Sequence, residues 1–398
     1  MQPTRALAFR LSVFYGTLFL AVGLLGPYWP MWLESRGMEP GEIGLLMSAS
    51  LLTRAIANPA IGALVDRRGD RRRPMLVLAA MSLGAYALFV PARGFWQLMA
   101  LTVLSAASFT ALMPVGDSLT LLAAAERRLH YGRIRLWGSL TFIVASIAGG
   151  AVIERQPMDT LPWLINATLA ILIGACAVLP DVRVDRPVES APGGERTLRR
   201  LAVQPVFVLF LGAASAVHAS HVVYYGFGAL HWQAAGLSLD AVGLLWAEGV
   251  LAEVVVFACS AVLLRRMTAP RLLALAGLAA AARWIVLSFT TDALALILVQ
   301  SLHGFSFGAC HLGALHFMDR AVHRSASASA QTLYGAIATG LLPGVAMLGV
   351  GRLYGALAGA AYLVAAAVAL LAVILAFLLD RRWNGGELAL ATRPAHSR

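Results

Sequence analysis

The sequence predicts an all-α membrane protein, with twelve transmembrane helices in two pseudo-symmetric six-helix bundles, on the strength of three observations. The first is composition: 59% of the 398 residues are apolar and 13% charged, with a mean hydropathy of +0.76, far more apolar than a soluble domain. The second is that apolar windows of about 20 residues, the length that crosses a bilayer as a helix, recur along the whole chain. The third is an internal repeat. Residues 37–54 (GMEPGEIGLLMSASLLTR) match residues 236–253 (GLSLDAVGLLWAEGVLAE) at a constant offset of 199, pairing Gly37 with Gly236, Gly44 with Gly243 and the Leu-Leu pairs.

In order, the windows are 8–33, 41–64, 74–91, 96–122, 133–153, 159–179, 203–230, 239–264, 270–289, 292–317, 325–350 and 355–379. The first is long, lacks a small-residue cleavage pattern and is followed by further spans, so it is expected to be a retained helix and not a signal peptide. Glycines and prolines inside the windows do not demote them, because in hydrocarbon a span must satisfy its own backbone. Residues 181–202, rich in charge, Pro and Gly, read as a linker between bundles at 1–180 and 203–380, with a tail at 381–398.

Every basic residue is arginine. With both termini in the cytoplasm, about 25 arginines fall on that side, in links at 66–73, 125–135, 181–200, 264–271 and 319–324 among others. Arg36, Arg93, Arg155 and Arg352 fall outside. The bias predicts a multi-pass protein of the bacterial cytoplasmic (inner) membrane with both termini inside. The formal charge of +11 then follows from topology, and no basic-aromatic patch points to nucleic acid. Cys176, Cys259 and Cys310 lie within predicted spans without metal-ligand spacing and are expected to be buried fillers. No nucleophile motif or catalytic acid pair suggests an enzyme, and without lysine a Walker A loop is impossible. No metal or cofactor is expected beyond a proton gradient.

The stretch Gly62 to Arg73, GALVDRRGDRRR, crowds five arginines and two aspartates between two apolar runs. Its Gly62, Leu64, Asp66, Arg67, Gly69, Arg71 and Arg72 resemble the signature loop between helices two and three of the major facilitator superfamily. A positive-inside loop alone would also carry such arginines. The resemblance implies a cytoplasmic gate at Gly62, Asp66, Arg67, Gly69 and Arg71, with Asp66, Arg67 and Arg71 as a latch in the outward-facing state. A six-plus-six repeat with a midplane site between halves is also the arrangement of alternating-access transporters.

The repeat places Arg54 in helix 2 and Glu253 in helix 8 at equivalent positions near the centres of their spans. A charge at that depth costs several kcal/mol unless it faces a partner or a wet cavity, so both are expected to look inward, to function or to brace neighbouring helices. Asp117, and Arg135 in YGRIRLWGS, resemble the acid and arginine lining the sugar site of the lactose permease group. Arg283 and His303 resemble members of that group's proton-coupling network. The chain departs from it with Gln300 and Ser306 in place of a lysine and a carboxylate, and with Phe142 in place of a sugar-stacking tryptophan. A closer resemblance, over nearly the whole chain, is to the phenylpropionate permease branch. It is carried by residues 131–139, 231–233, 243–246, 282–284 (ARW) and 300–311 (QSLHGFSFGACH), and implies an aromatic carboxylate as substrate.

The residues themselves suit such a solute. Arg54 and Arg283 can meet a carboxylate in a bidentate fork. Tyr28, Trp29, Trp32, Phe142, Tyr225 and Trp284 can hold an apolar ring or serve as interfacial anchors. His218, His221 and Tyr225 recur at helical spacing in helix 7, as do His303, Phe307 and His311 in helix 10; such faces relay protons or bridge helices. Glu248 and Glu253 stand about 140° apart on a helix. Glu253, the deeper, is the first candidate for the coupled carboxyl, since burial favours a neutral carboxyl. The expected function is a proton-coupled symporter, working as a monomer, that imports a small organic solute. Glu253, His303 and Arg283 would couple the proton, while Arg54, Asp117, Arg135, Phe142, Trp284 and Tyr225 bind substrate. Oligosaccharide or nucleoside symport, drug or metabolite efflux, and a non-transporting sensor are the alternatives.

Overall fold

The computed structural model describes residues 4–181 and 194–388. In the first bundle, α1 (Thr4–Ser35), α2 (Pro40–Arg68), α3 (Arg72–Phe89), α4 (Phe95–Arg127), α5 (Tyr131–Ile153) and α6 (Thr160–Ala177) each make one crossing. A short helix, α7 (Gly194–Val203), precedes the second bundle. There the crossings are α8 (Pro205–Ser220) with α9 (Val222–Ala234), α10 (Leu239–Ala258) with α11 (Ser260–Arg266), and α12 (Ala269–Phe289). They continue with α13 (Ala293–Gln300) leading to α14 (Cys310–Ala321), α15 (Ser327–Leu333) leading to α16 (Leu342–Leu357), and α17 (Ala361–Arg382). Among the described residues, nine continuous helical stretches are long and apolar enough to cross a membrane, one of which, Ser327–Arg382, contains two crossings. The pair flanking the arginine loop, α2 and α3, completes the twelve.

The 199-residue offset holds in the backbone. Helix α1 ends at Ser35 and α9 at Ala234, and Gly37 (φ +80°) and Gly236 (φ +91°) take the left-handed conformation that a residue with a Cβ resists. Glu39 and Ser238 are the N-caps, and α2 and α10 start at Pro40 and Leu239. Glu42 accepts the Glu39 N–H (3.0 Å), and Ser238 Oγ accepts that of Ala241 (3.3 Å), so both helices begin with a capped end.

These turns mark the end at which the bundles meet. The Gly44 Cα faces Gly351, and Gly351 lies beneath the Pro40 carbonyl, so α2 and α16 cross almost backbone to backbone. The pseudo-symmetric crossing of α10 and α5 uses Gly243 beneath the Ser146 carbonyl and Gly150 beneath the Leu239 carbonyl. Polar clasps reinforce both. Ser48 Oγ donates to the Gly344 carbonyl (2.7 Å), Tyr28 OH to the Leu239 carbonyl (3.5 Å), and Arg155 pairs with Asp240 (3.6 Å). Away from this end burial fades: no residue of α2 from Ala49 to Leu64 is buried, α10 buries only Val256 after Gly249, and α11 buries none. The bundles part toward the arginine-rich end.

Interior prolines become packing devices. Pro27 offers no N–H to the Gly23 carbonyl, which instead accepts from Ser146 Oγ (3.1 Å) on α5. Pro114 likewise frees the Thr110 carbonyl for Asn58 Nδ2 (3.4 Å) on α2, and Thr110 Oγ1 donates back to Asn58 Oδ1 (2.9 Å).

Several expectations need correction. Helix 7 is broken at His221, helix 8 at Cys259, and helices 10 and 11 contain π-helical segments, Gly304–Ala309 and Tyr334–Leu341. Every one of these breaks falls in the second bundle. Cys176 and Cys310 are buried, but Cys259 is exposed at its break. Trp29 and Trp32 stack (4.7 Å) against Phe89 inside the first bundle and line no cavity. Residues 182–193 of the expected linker and 389–398 of the tail lie outside the described residues, and the rest of the linker is largely α7. The described tail folds back, with Trp383 on Phe317 (4.8 Å) and the Leu388 N–H donating to the Ala321 carbonyl (2.8 Å).

If glycine crossings close this end, a Gly243→Val branch driven into the Ser146 carbonyl should spread it. A probe cysteine at buried Ser48, placed in a Cys259→Ser background, should then react several-fold faster with a hydrophilic maleimide. An unchanged rate would show that the crossing does not hold the closure.

Candidate functional site

Arg283 on α12 is fully buried, and its surroundings define the site. A guanidinium in an apolar interior must have its donors satisfied. Nη1 donates to His303 Nδ1 (2.8 Å) and Ser306 Oγ (2.9 Å), and Nη2 to Gln300 Oε1 (2.7 Å). Two adjacent rings face the cation, Trp284 at 4.6 Å and Tyr224 at 5.1 Å. Gln300 in turn donates through Nε2 to Tyr224 OH and the Leu245 carbonyl, both at 3.0 Å. The three oxygen and nitrogen acceptors come from the end of α13 and the π segment after it. Gln300, His303 and Ser306, three apart, are thereby brought onto one guanidinium.

The network assigns the histidine tautomers. Because His303 Nδ1 accepts from Arg283, its proton resides on Nε2, which points at Glu253 Oε1 (2.9 Å) on α10. His221 Nδ1 faces the Val217 carbonyl (2.8 Å) and so donates, which leaves Nε2 to accept from Ser306 Oγ (3.1 Å). The result is a chain Glu253, His303, Arg283, Gln300, Tyr224 in which a buried cation reaches its carboxylate through an imidazole. Glu253 is its open end, 17% exposed against 7% for His303. Gly249 makes room for the imidazole, since a Cβ there would meet His303 Cδ2 at 3.3 Å.

Other expected residues fall into separate groups. Trp284 is buried against His221 (5.0 Å) and donates to Ser220 Oγ (3.1 Å), while Tyr225 stands 5.7 Å from His221 and 6.4 Å from His303. Phe142 and Trp246, one from each bundle, converge on Gly26, and Trp246 stacks on Tyr224 (4.9 Å). In the first bundle Asp117 accepts from Tyr15 OH (2.6 Å) and Tyr131 OH (2.9 Å), and Arg135 lies over Phe19 (4.0 Å) and Tyr15 (5.5 Å). Arg54 reaches across the bundle interface to the Thr339 carbonyl. At the arginine-rich end Arg71 pairs with Asp66 (2.9 Å) and donates to Ser118 Oγ (2.9 Å), a brace within one bundle. Gly69 takes the left-handed turn (φ +69°) after α2, with Gly62 and Arg67 in the last turns of that helix.

Sequence reasoning assigned no role to Tyr224, Ser118 or Tyr15, ordinary aromatic or hydroxyl residues with no motif of their own, nor to Tyr131, which opens the 131–139 segment. Gln300 and Ser306 were noted as departures and within the 300–311 segment without a role, yet both are ligands of Arg283.

A family model, the MFS_1 like family, matches residues 8–375. The chain is 32% identical over 378 residues to the "Probable 3-phenylpropionic acid transporter" of Escherichia coli (strain K12), covering 94% of this chain and 97% of that protein. It is 29% identical over 335 residues to the maltose permease of Geobacillus stearothermophilus, covering 83% of each. The fold matches the crystal structure of the nucleoside transporter NupG with a TM-score of 0.79 at 13% identity, over 95% of this chain and 100% of that one.

Truncating the hub, Arg283→Ala, strands Gln300, His303 and Ser306 and is expected to cost about 3 kcal/mol or more. Thermal unfolding in detergent should show a far larger loss for it than for Glu253→Gln; equal melting would show that the guanidinium does not organise the site. Asp66→Asn removes the carboxylate of a nearly buried Arg71, and a transport rate equal to wild type would show the loop brace to be dispensable.

Proposed function

The chain belongs to the MFS_1 like family and is a major facilitator transporter, not an enzyme, and on that premise we propose that it is a proton-coupled symporter importing an aromatic carboxylate such as 3-phenylpropionate. The observation that carries the reading is the chain from Glu253 through His303 to the buried Arg283. Glu253 is the member that solvent protons reach first. With Glu253 ionised, its charge offsets that of Arg283 through the imidazole. Protonation removes the offset and leaves the site more positive, which favours an organic anion. Binding of the anion restores the balance, so the doubly loaded and empty proteins carry the same charge and either ligand alone does not. Reorientation of one bundle against the other is then favoured for both or neither.

The name of the Escherichia coli relative supports the aromatic acid, and the Trp246 and Phe142 rings at the closed side of the site offer an apolar wall for its ring. The arginine bias supports placement in a bacterial inner membrane, with the arginine-rich end and both termini in the cytoplasm. In that orientation the conformation described here faces inward, and the Asp66, Arg67 and Arg71 loop latches only when that end closes. The transporter works as a monomer and needs no cofactor besides the proton gradient.

Proteoliposomes test the reading through uptake of labelled 3-phenylpropionate with and without an inward proton gradient. Wild type should accumulate it with the gradient, and Glu253→Gln should lose accumulation at least tenfold. Accumulation of maltose or a nucleoside in place of the acid would keep the symporter and discard the substrate.

A further inference from the structure

Arg54 is a cation at the bundle interface whose protein partners do not balance it. Arg283 engages His303, Ser306 and Gln300 through Nη1 and Nη2, and its Nε, though without a partner, is sealed from solvent. Arg135 lies on two rings, and Arg71 has Asp66. Among the described residues Arg54 makes a single hydrogen bond, from Nη2 to the Thr339 carbonyl in the π segment of the opposite bundle. That carbonyl is open to it because the residue four positions on, Pro343, has no N–H. The other two nitrogens of Arg54 have no partner among the described residues and are not sealed from solvent.

A guanidinium deep in a span, held by one neutral acceptor and with its other N–H groups unsealed, lacks an anion. The species that fits its planar fork is a carboxylate accepting two parallel hydrogen bonds. We propose that Arg54 is the residue that binds the substrate's carboxylate, and that the Thr339 carbonyl is its resting partner in the empty protein. This rests on the symporter reading above and assigns the anion within it to Arg54 and not Arg283, whose Nη1 and Nη2 are engaged within its own bundle and whose Nε is sealed from solvent. Since Thr339 belongs to the second bundle and Arg54 to the first, an arriving carboxylate competes with a bond that ties the bundles together. Substrate binding thereby alters the interface that must move.

The test compares binding of 3-phenylpropionate with that of its neutral analogue 3-phenylpropionamide, in wild type, Arg54→Gln and Arg54→Lys. Wild type should prefer the acid about ten- to hundredfold, the range expected for charge-assisted hydrogen bonds. Arg54→Gln should lose that preference by weakening acid binding alone, with amide binding unchanged, which a general loss of structure would not produce. Arg54→Lys, which keeps charge without the fork, should fall between, and it carries the test alone if the glutamine variant does not fold. A full acid preference in either variant overturns the assignment while leaving the symporter reading intact. A wild type that binds neither compound yet accumulates a neutral sugar under a proton gradient overturns both.

Discussion

The cost of placing a guanidinium in an apolar interior governs the second bundle. Arg283 is tolerated because α9, α12 and the α13–α14 crossing each surrender a polar or aromatic group to it. Gln300, His303 and Ser306 stand three apart, a spacing that keeps them on one side of the crossing and presents all three to one cation, with Ser306 inside the π segment. The same demand explains the small residues nearby. Gly304 sits where a Cβ would strike the Ala252 backbone, and Gly308 packs on Val256, so α10 can approach closely enough for Glu253 to reach His303.

The first bundle is built on a different economy of polar groups. Its interior prolines free carbonyls that neighbouring helices use, and its Asp117 is held by two tyrosine hydroxyls without any ion pair. The interface between bundles is correspondingly uneven. One end is a pair of glycine crossings with little side-chain interlock, while the middle holds Arg54, Glu253 and the rings of Phe142 and Trp246. Contacts made by backbone against backbone can separate without unpacking large side chains, which suits a surface that opens and closes.

Much of this was legible in the chain. Apolar windows located the twelve crossings because hydrocarbon admits few alternatives to a helix. The repeat anticipated the paired turns at Gly37 and Gly236 and the paired contacts at Gly44 and Gly243, since each is set by a local backbone need. The site was legible in part: Glu253, His303 and Arg283 come together as charges at depth suggested. What escaped was whatever depends on three-dimensional ligation. The break at His221 and both π segments leave no periodic mark. Tyr225 drew attention where its neighbour Tyr224 lies under the cation, a difference of one position that rotates a residue by about 100° around a helix. Trp29 and Trp32, read as ring-holding residues or interfacial anchors, are instead packed in the first bundle, because composition does not distinguish a bundle core from either.

Arg54 and Glu253 are each the fifteenth residue of their helices, α2 and α10, in the two copies of the repeat. A pseudo-twofold relation that carries one backbone position onto the other therefore exchanges a cation for an anion, so the geometry is symmetric and the electrostatics antisymmetric. The potential between the bundles then varies across the transport path as well as along it. A solute with one charged end experiences a torque in that field and lies crosswise, with its anionic head toward the first bundle. If the bundles rock about the shared axis as proposed, access changes without exchanging the two walls, and an anionic solute would keep that bearing from entry to release.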